Sequence, residues 1–178
     1  MNRIGAKPRR AVFFDRDGTL MEDVCYCADP ALVRVFPGVP GALERLKQAG
    51  YAIVIITNQS GIGRGLIAPE QYQAVAREFV QQAGRDSIDA TYYCADVPGV
   101  PSSRRKPEPG MVLEAAADHG IDLAASWFVG DKAGDIECGH RAGTRTILVL
   151  TGYGASQPRA ATLTCNDAVE AAAAILAP

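Results

Sequence analysis

The sequence predicts an α/β protein built on a doubly wound, Rossmann-like parallel sheet. Short apolar runs such as Ala11–Phe14 and Tyr51–Ile56 are continuous, not alternating, as expected of strands covered on both faces. They alternate with segments of helical period, which places helices on both sides of a parallel sheet. Each main run ends in polar residues, Asp15, Thr57 and Asp131 among them, and open α/β sheets bind ligands beyond the carboxyl ends of their strands.

The elements follow in order. After the first strand and a loop from Met21 to Pro30, Pro37-Gly38-Val39-Pro40-Gly41 opens a helix with Val39, Leu43 and Leu46 on its apolar face, ending at Gly50. The strand Tyr51–Ile56 leads into a polar turn, Thr57-Asn58-Gln59-Ser60-Gly61. Pro69 starts a helix that runs to about Gly84, and Ile88–Cys94 forms a third strand. Residues 95–106 read as an irregular loop, followed by a helix over Met111–His119. A strand then closes on Val129-Gly130-Asp131, and a helix covers Ala133–Ala142. Thr146–Leu150 is a fifth strand, Thr162–Cys165 a weak sixth, and the alanine-rich tail a last helix.

Composition narrows the function. A chain of 178 residues with 48% hydrophobic letters can bury one substantial core, so residues 1–178 are expected to form a single domain. A net charge of −2 gives no general attraction for nucleic acid or an anionic membrane, and an anionic ligand would need a local cluster such as Arg9-Arg10 or Arg104-Arg105-Lys106. The five cysteines lack the spacing of a disulfide framework, and the basic stretch from Met1 to Arg10 lacks the apolar core of a secretory signal. The expectation is a cytoplasmic protein with neither a nucleic-acid nor a membrane partner.

The chemistry centres on Asp15-Arg16-Asp17-Gly18-Thr19. Carboxylates spaced i, i+2 at a strand end face the same side, and Asp17-Gly18 turns the chain. Asp15 and Asp131, each at the carboxyl end of a strand, are the hard oxygen donors that Mg²⁺ prefers. Asp135 either joins them or supplies a charge at a helix amino terminus. His119 and His140 have no clustered partner and read as ordinary helix residues.

Asp15-x-Asp17-Gly18-Thr19, Thr57, Lys106 and Gly130-Asp131 with Asp135 together resemble the haloacid dehalogenase (HAD) superfamily of phosphatases, over nearly the whole chain. The resemblance implies that Asp15 is the nucleophile forming an aspartyl-phosphate, and that Asp17 is the general acid and then the general base. It implies Mg²⁺ on the Asp15 and Asp131 carboxylates and the Asp17 backbone carbonyl, with Thr57 and Lys106 holding phosphoryl oxygens. Only 42 residues separate Asp15 from Thr57, and 49 separate Thr57 from Lys106, so no inserted cap domain is expected.

Within the superfamily the wording is similar to the D-glycero-D-manno-heptose 1,7-bisphosphate 7-phosphatases: Phe14-Asp15-Arg16-Asp17-Gly18-Thr19, Thr57-Asn58-Gln59-Ser60-Gly61, Tyr92-Tyr93-Cys94, Arg105-Lys106-Pro107 and Val129-Gly130-Asp131-Lys132. That resemblance implies a small sugar phosphate as substrate, in the synthesis of lipopolysaccharide heptose. It also implies a substrate site lined by Asp23, Val24, Cys25 and Tyr26, by Thr57, Asn58, Gln59 and Ser60, and by Arg64, Arg105, Lys106 and Lys132. Histidinol-phosphate phosphatases and generalist sugar phosphatases share the motifs, and a phospho-accepting signalling module would share the strand-end aspartates. Relatives commonly carry a zinc loop where this chain has Cys94-Ala95-Asp96 and Ser102-Ser103-Arg104. Without the four ligands of a structural zinc, the loop is expected to be metal-free and stiffened by Pro98 and Pro101. An open, uncapped domain is expected to be a monomer.

Overall fold

The computed structural model describes residues 8–177, so most of the basic amino-terminal stretch, residues 1–7, lies outside the described residues. Six strands, β1 (Ala11–Phe14), β2 (Ala52–Asn58), β3 (Ala90–Cys94), β4 (Trp127–Gly130), β5 (Arg145–Val149) and β6 (Leu163–Cys165), pair in parallel in the order β3-β2-β1-β4-β5-β6. The first three strands step outward to one side of β1 and the last three to the other. The strand order therefore reverses between β1 and β4, and such a switch point opens a crevice at the carboxyl ends.

The described residues form six α-helices, α1 (Val39–Gln48), α2 (Ser60–Gly63), α3 (Pro69–Ala83), α4 (Gly110–His119), α5 (Ala133–Ala142) and α6 (Ala168–Leu176), and all but the single turn α2 cover the sheet. Strand alternation divides the core into two layers. Val12, Phe14, Ile53, Ile55 and Val129 pack under α1, α3 and α6, whereas Phe13, Val54, Ile56 and Phe128 pack under α4 and α5. Phe13 and Phe128 are register partners on neighbouring strands and stack at 6.3 Å. This double coverage is why the strands read as unbroken apolar runs.

Several boundaries differ from the sequence reading. β2 continues through Thr57 and Asn58, because these residues pair with Tyr93 and Cys94 of β3 despite their polarity. β3 begins at Ala90, since the preceding Asp89 turns its carboxylate to the Ile53 N–H (2.8 Å) and to Lys47 (2.8 Å). The single turn α2 replaces part of the expected loop, its two glycines having masked it. The helices and strands between the motifs account for the chain there, and no cap is inserted among the described residues. None of their helices is long and apolar enough to cross a membrane.

Candidate active site

β1 ends at Phe14, so Asp15, Arg16 and Asp17 leave the sheet where the crevice opens, and strand alternation no longer sets their directions. Asp15 is buried beside Lys106, whose Nζ lies 2.6 Å from Asp15 Oδ1, 2.7 Å from Asp135 Oδ1 and 2.8 Å from the Ile56 carbonyl. All three ammonium hydrogens therefore have acceptors. The Lys106 backbone is held as firmly, its N–H donating to Asn58 Oδ1 (3.1 Å) and its carbonyl accepting from Asn58 Nδ2 (3.2 Å). The extension of β2 through Asn58 thus places Lys106 across 48 residues of sequence.

Asp131 is 0% exposed and closes the acidic cluster: carboxylate oxygens of Asp15, Asp131 and Asp135 lie within 4.8 Å of one another. Asp135, whose sequence reading was open, does both jobs. One oxygen pairs with Lys106 and the other accepts the Lys132 N–H at the start of α5 (3.0 Å). Burial, and then the charge of Asp15, lift the Asp131 carboxyl to about 7, although the Tyr153 N–H donates to it at 2.9 Å. Burial also raises Asp15, against the pull of Lys106. Burial opposes the Lys106 charge, but Asp135 and Asp15 outweigh it and hold the ammonium above its ordinary value. Three carboxylates against one ammonium leave a deficit of two positive charges, which a divalent cation on oxygen donors would fill.

The backbone makes room for that cluster. A Cβ on Gly18 would lie 2.4 Å from Asp131 Oδ2, and one on Gly152 would lie 2.3 Å from the same oxygen. Gly18 also has φ +87°, in the region that favours glycine.

Asp17 stands at the mouth. Its carboxylate is forked by Arg16 Nε and Nη2 at 3.0–3.2 Å, and its Oδ2 also accepts from Gln59 Nε2 (2.9 Å) and from Thr57 Oγ1 (3.4 Å). Thr57 and Gln59 are linked to each other at 2.8 Å. Both are buried, so the Gln59 amide is engaged with the acid and not free in the cleft.

The cleft in front of these groups has a volume of about 460 Å³, and Asp23, Cys25, Tyr26, Asn58, Gln59, Ser60, Arg105, Lys106 and Lys132 line it as expected. Asp23 accepts from the Cys25 N–H (3.0 Å) and from Lys132 Nζ (3.2 Å), while Cys25 and Tyr26 adopt φ of 50° and 55°. Two successive non-glycine residues in this region carry strain on the order of 1–2 kcal/mol each. Arg105 is oriented by its donation to the Asp96 carbonyl (3.0 Å).

Three expected residues do not line the cleft, the first being Thr57, which is buried with its hydroxyl on Asp17 and Gln59. Val24 turns inward and packs on the apolar core, as its side chain favours, and Arg64 is exposed at the end of α2 with its charge in solvent. Arg16, Cys27, Gly61, Gly134 and Tyr153 line it outside the expected set. Arg16 is the unassigned letter between two aspartates, and its grip on Asp17 depends on the turn that ends strand alternation. Tyr153, which is 52% exposed and puts its ring 4.8 Å from Lys132 Nζ, carries no local signal.

A HAD-hydrolase-like family model matches residues 103–172. The chain is 38% identical over 160 residues to the D-glycero-D-manno-heptose-1,7-bisphosphate 7-phosphatase of Chlorobaculum tepidum, covering 81% of this chain and 80% of that protein. It is 39% identical over 157 residues to the D-glycero-beta-D-manno-heptose-1,7-bisphosphate 7-phosphatase of Salmonella typhi, covering 83% and 84%. The D,D-heptose 1,7-bisphosphate phosphatase of B. bronchiseptica, solved with magnesium and phosphate, superposes with a TM-score of 0.86 at 31% identity, covering 94% of this chain and 98% of that one.

Replacing Gly18 by alanine combines an unfavourable φ with overlap on Asp131, and is expected to lower the unfolding free energy by roughly 2–4 kcal/mol. Urea unfolding of the variant beside the parent protein measures this.

Proposed function

The chain belongs to the HAD superfamily and, within it, to the heptose-1,7-bisphosphate 7-phosphatase family, and from that premise we propose how its own residues remove the 7-phosphate of D-glycero-D-manno-heptose 1,7-bisphosphate. It is a phosphoric monoester hydrolase. The observation that carries the reading is the grouping of Asp15, Asp131 and Asp135 around the Lys106 ammonium at the sheet's switch point.

An Asp15 oxygen attacks phosphorus, forming an acyl phosphate as the bond from phosphorus to the sugar oxygen breaks. Asp17 delivers its proton to that departing oxygen. Water then attacks phosphorus, Asp17 takes the water's proton, and the Asp15 carboxylate is released together with inorganic phosphate. Lys106 fixes the orientation of Asp15 and offsets charge beside the phosphoryl group, and Thr57 holds its place through Asp17 and Gln59. The Asp15 and Asp131 carboxylates, with the Asp17 carbonyl, suit Mg²⁺, which when bound supplies Lewis-acid stabilisation of phosphoryl oxygens. Asp135 anchors Lys106.

The sugar occupies the open cleft, where Lys132 and Arg105 supply the positive charge for phosphate oxygens and the strained Cys25-Tyr26 loop shapes the wall. One chain builds the whole cleft, which supports a single-domain monomer. The five unpaired cysteines suit the reducing cytoplasm. We read the loop of residues 95–106 as metal-free, with hydrogen bonds in the place of zinc ligands. The Ser102 hydroxyl accepts the N–H groups of Arg104 (3.2 Å) and Arg105 (2.9 Å) and donates to Asp96 (2.5 Å). Metal analysis of purified protein is expected to find substoichiometric zinc, and one tightly bound equivalent would contradict this.

Phosphate release from the heptose bisphosphate is expected to exceed release from histidinol phosphate. Asp15→Asn should abolish turnover, and Asp17→Asn should slow it by about 10²–10⁴-fold. Turnover retained by Asp15→Asn would remove the nucleophile from the reading. A phosphoprotein that decays slowly without turnover would indicate a signalling module.

Metal and proton compete for the acidic cluster. With Asp131 lifted to about 7 in the folded protein against an ordinary 3.8, the metal-free fold binds a proton that the unfolded chain has already released. That stabilisation is complete below the unfolded value and is lost as pH rises through the folded one. The melting temperature of metal-free protein should therefore fall between pH 5 and pH 8. Millimolar Mg²⁺ should raise it more at pH 8 than at pH 5, since the ligands must be deprotonated. Differential scanning fluorimetry at both pH values checks the sign.

A further inference from the structure

We propose that Arg16 and Gln59 form a two-sided clamp that fixes the orientation of the Asp17 carboxylate, which makes Arg16 a positioning residue for the general acid. The inference rests on Asp17 acting as acid and base in the phosphatase reaction, and goes beyond it in naming what orients that carboxylate.

The donors are unequally shared. Oδ2 receives Gln59 Nε2 at 2.9 Å and Thr57 Oγ1 at 3.4 Å besides the Arg16 fork, whereas Oδ1 receives Arg16 alone. Arg16 reaches both oxygens from one side and Gln59 meets Oδ2 from the other, so rotation of the carboxylate about its Cβ–Cγ bond would break hydrogen bonds on both sides. A fixed orientation matters to a group that must protonate one oxygen, the departing alkoxide, and then accept from another, the incoming water.

Arg16 is built for this task. It is 2% exposed, deeper than the carboxylate that it holds, and its guanidinium carbon lies 5.9 Å from the ring of buried Tyr72 on α3, which in turn meets Tyr93 at 4.5 Å. Nη1 is buried without a hydrogen-bond partner among the described residues, so the Nε–Nη2 edge alone grips Asp17. Burying an unpaired donor is unfavourable, and a general stabilising role would be met better by an apolar residue of similar volume. Lysine would keep the charge, but a point charge cannot reproduce a planar fork.

The test uses kcat/KM for two esters, since this ratio covers steps only through departure of the leaving group. The p-nitrophenolate of p-nitrophenyl phosphate leaves without a proton; the sugar alkoxide of heptose bisphosphate does not. For Arg16→Lys, kcat/KM is expected to fall by about 10–100-fold for the sugar ester while staying within about threefold for the aryl ester, a part of the full acid contribution. Any inactive fraction of the variant cancels between the two esters. Gln59→Met, which loosens the clamp from the other side, should shift the same ratio in the same direction. In an Asp17→Asn background Arg16→Lys should add less than about threefold, since the two residues act as one unit. An equal fall on both esters, complete loss included, or an unmoved ratio in both variants overturns the clamp. Activity surviving in Asp15→Asn would instead overturn the underlying phosphatase chemistry.

Discussion

Burying three carboxylates within 4.8 Å of one another is opposed both by desolvation and by mutual repulsion, and the buried Lys106 ammonium is the group that makes the arrangement tenable. Much of the local structure serves to put that one nitrogen in place. Asn58 grips the lysine backbone at both its N–H and its carbonyl, the Ile56 carbonyl takes the third ammonium hydrogen, and the face of Phe128 lies 5.7 Å away. The residual negative charge is left for a cation to meet. Burial and the neighbouring Asp15 charge raise the Asp131 carboxyl accordingly.

The fold contributes the switch point and the enclosure. Because β1 lies between β2 and β4, the ends of all three strands deliver polar residues to one crevice, while apolar layers under five helices exclude water from its floor. The site divides along this gradient of exposure. Asp15, Asp131, Asp135 and Lys106 sit on the dry floor, where electrostatic interactions are strong. Asp17, Lys132, Arg105 and the Cys25-Tyr26 loop sit at the open mouth, where a sugar phosphate can enter and leave. The acid stands on the boundary between the two, held by Arg16 from beneath.

Local chemistry alone determined much of this protein. Continuous apolar runs separated by amphipathic segments specify a buried parallel sheet, and acids directly after such runs specify where its ligand lies, because strand direction and burial are short-range consequences of side-chain order. The order of motifs along the chain likewise carried the family. Partnership was settled only in three dimensions. Asp135 could be a cap or a member of the cluster until Lys106 arrived beside it, and Gln59 lines the cleft while its amide also meets Asp17. Val24 and Arg64 were drawn into the site by their neighbours in sequence, yet one turns to the core and the other to solvent. Arg16, Tyr153 and the Ser102 hub depend on groups distant in sequence or on a turn that ends strand alternation. Hydrogen bonds and ion pairs are short-ranged in space and indifferent to separation along the chain, so no local pattern could announce them.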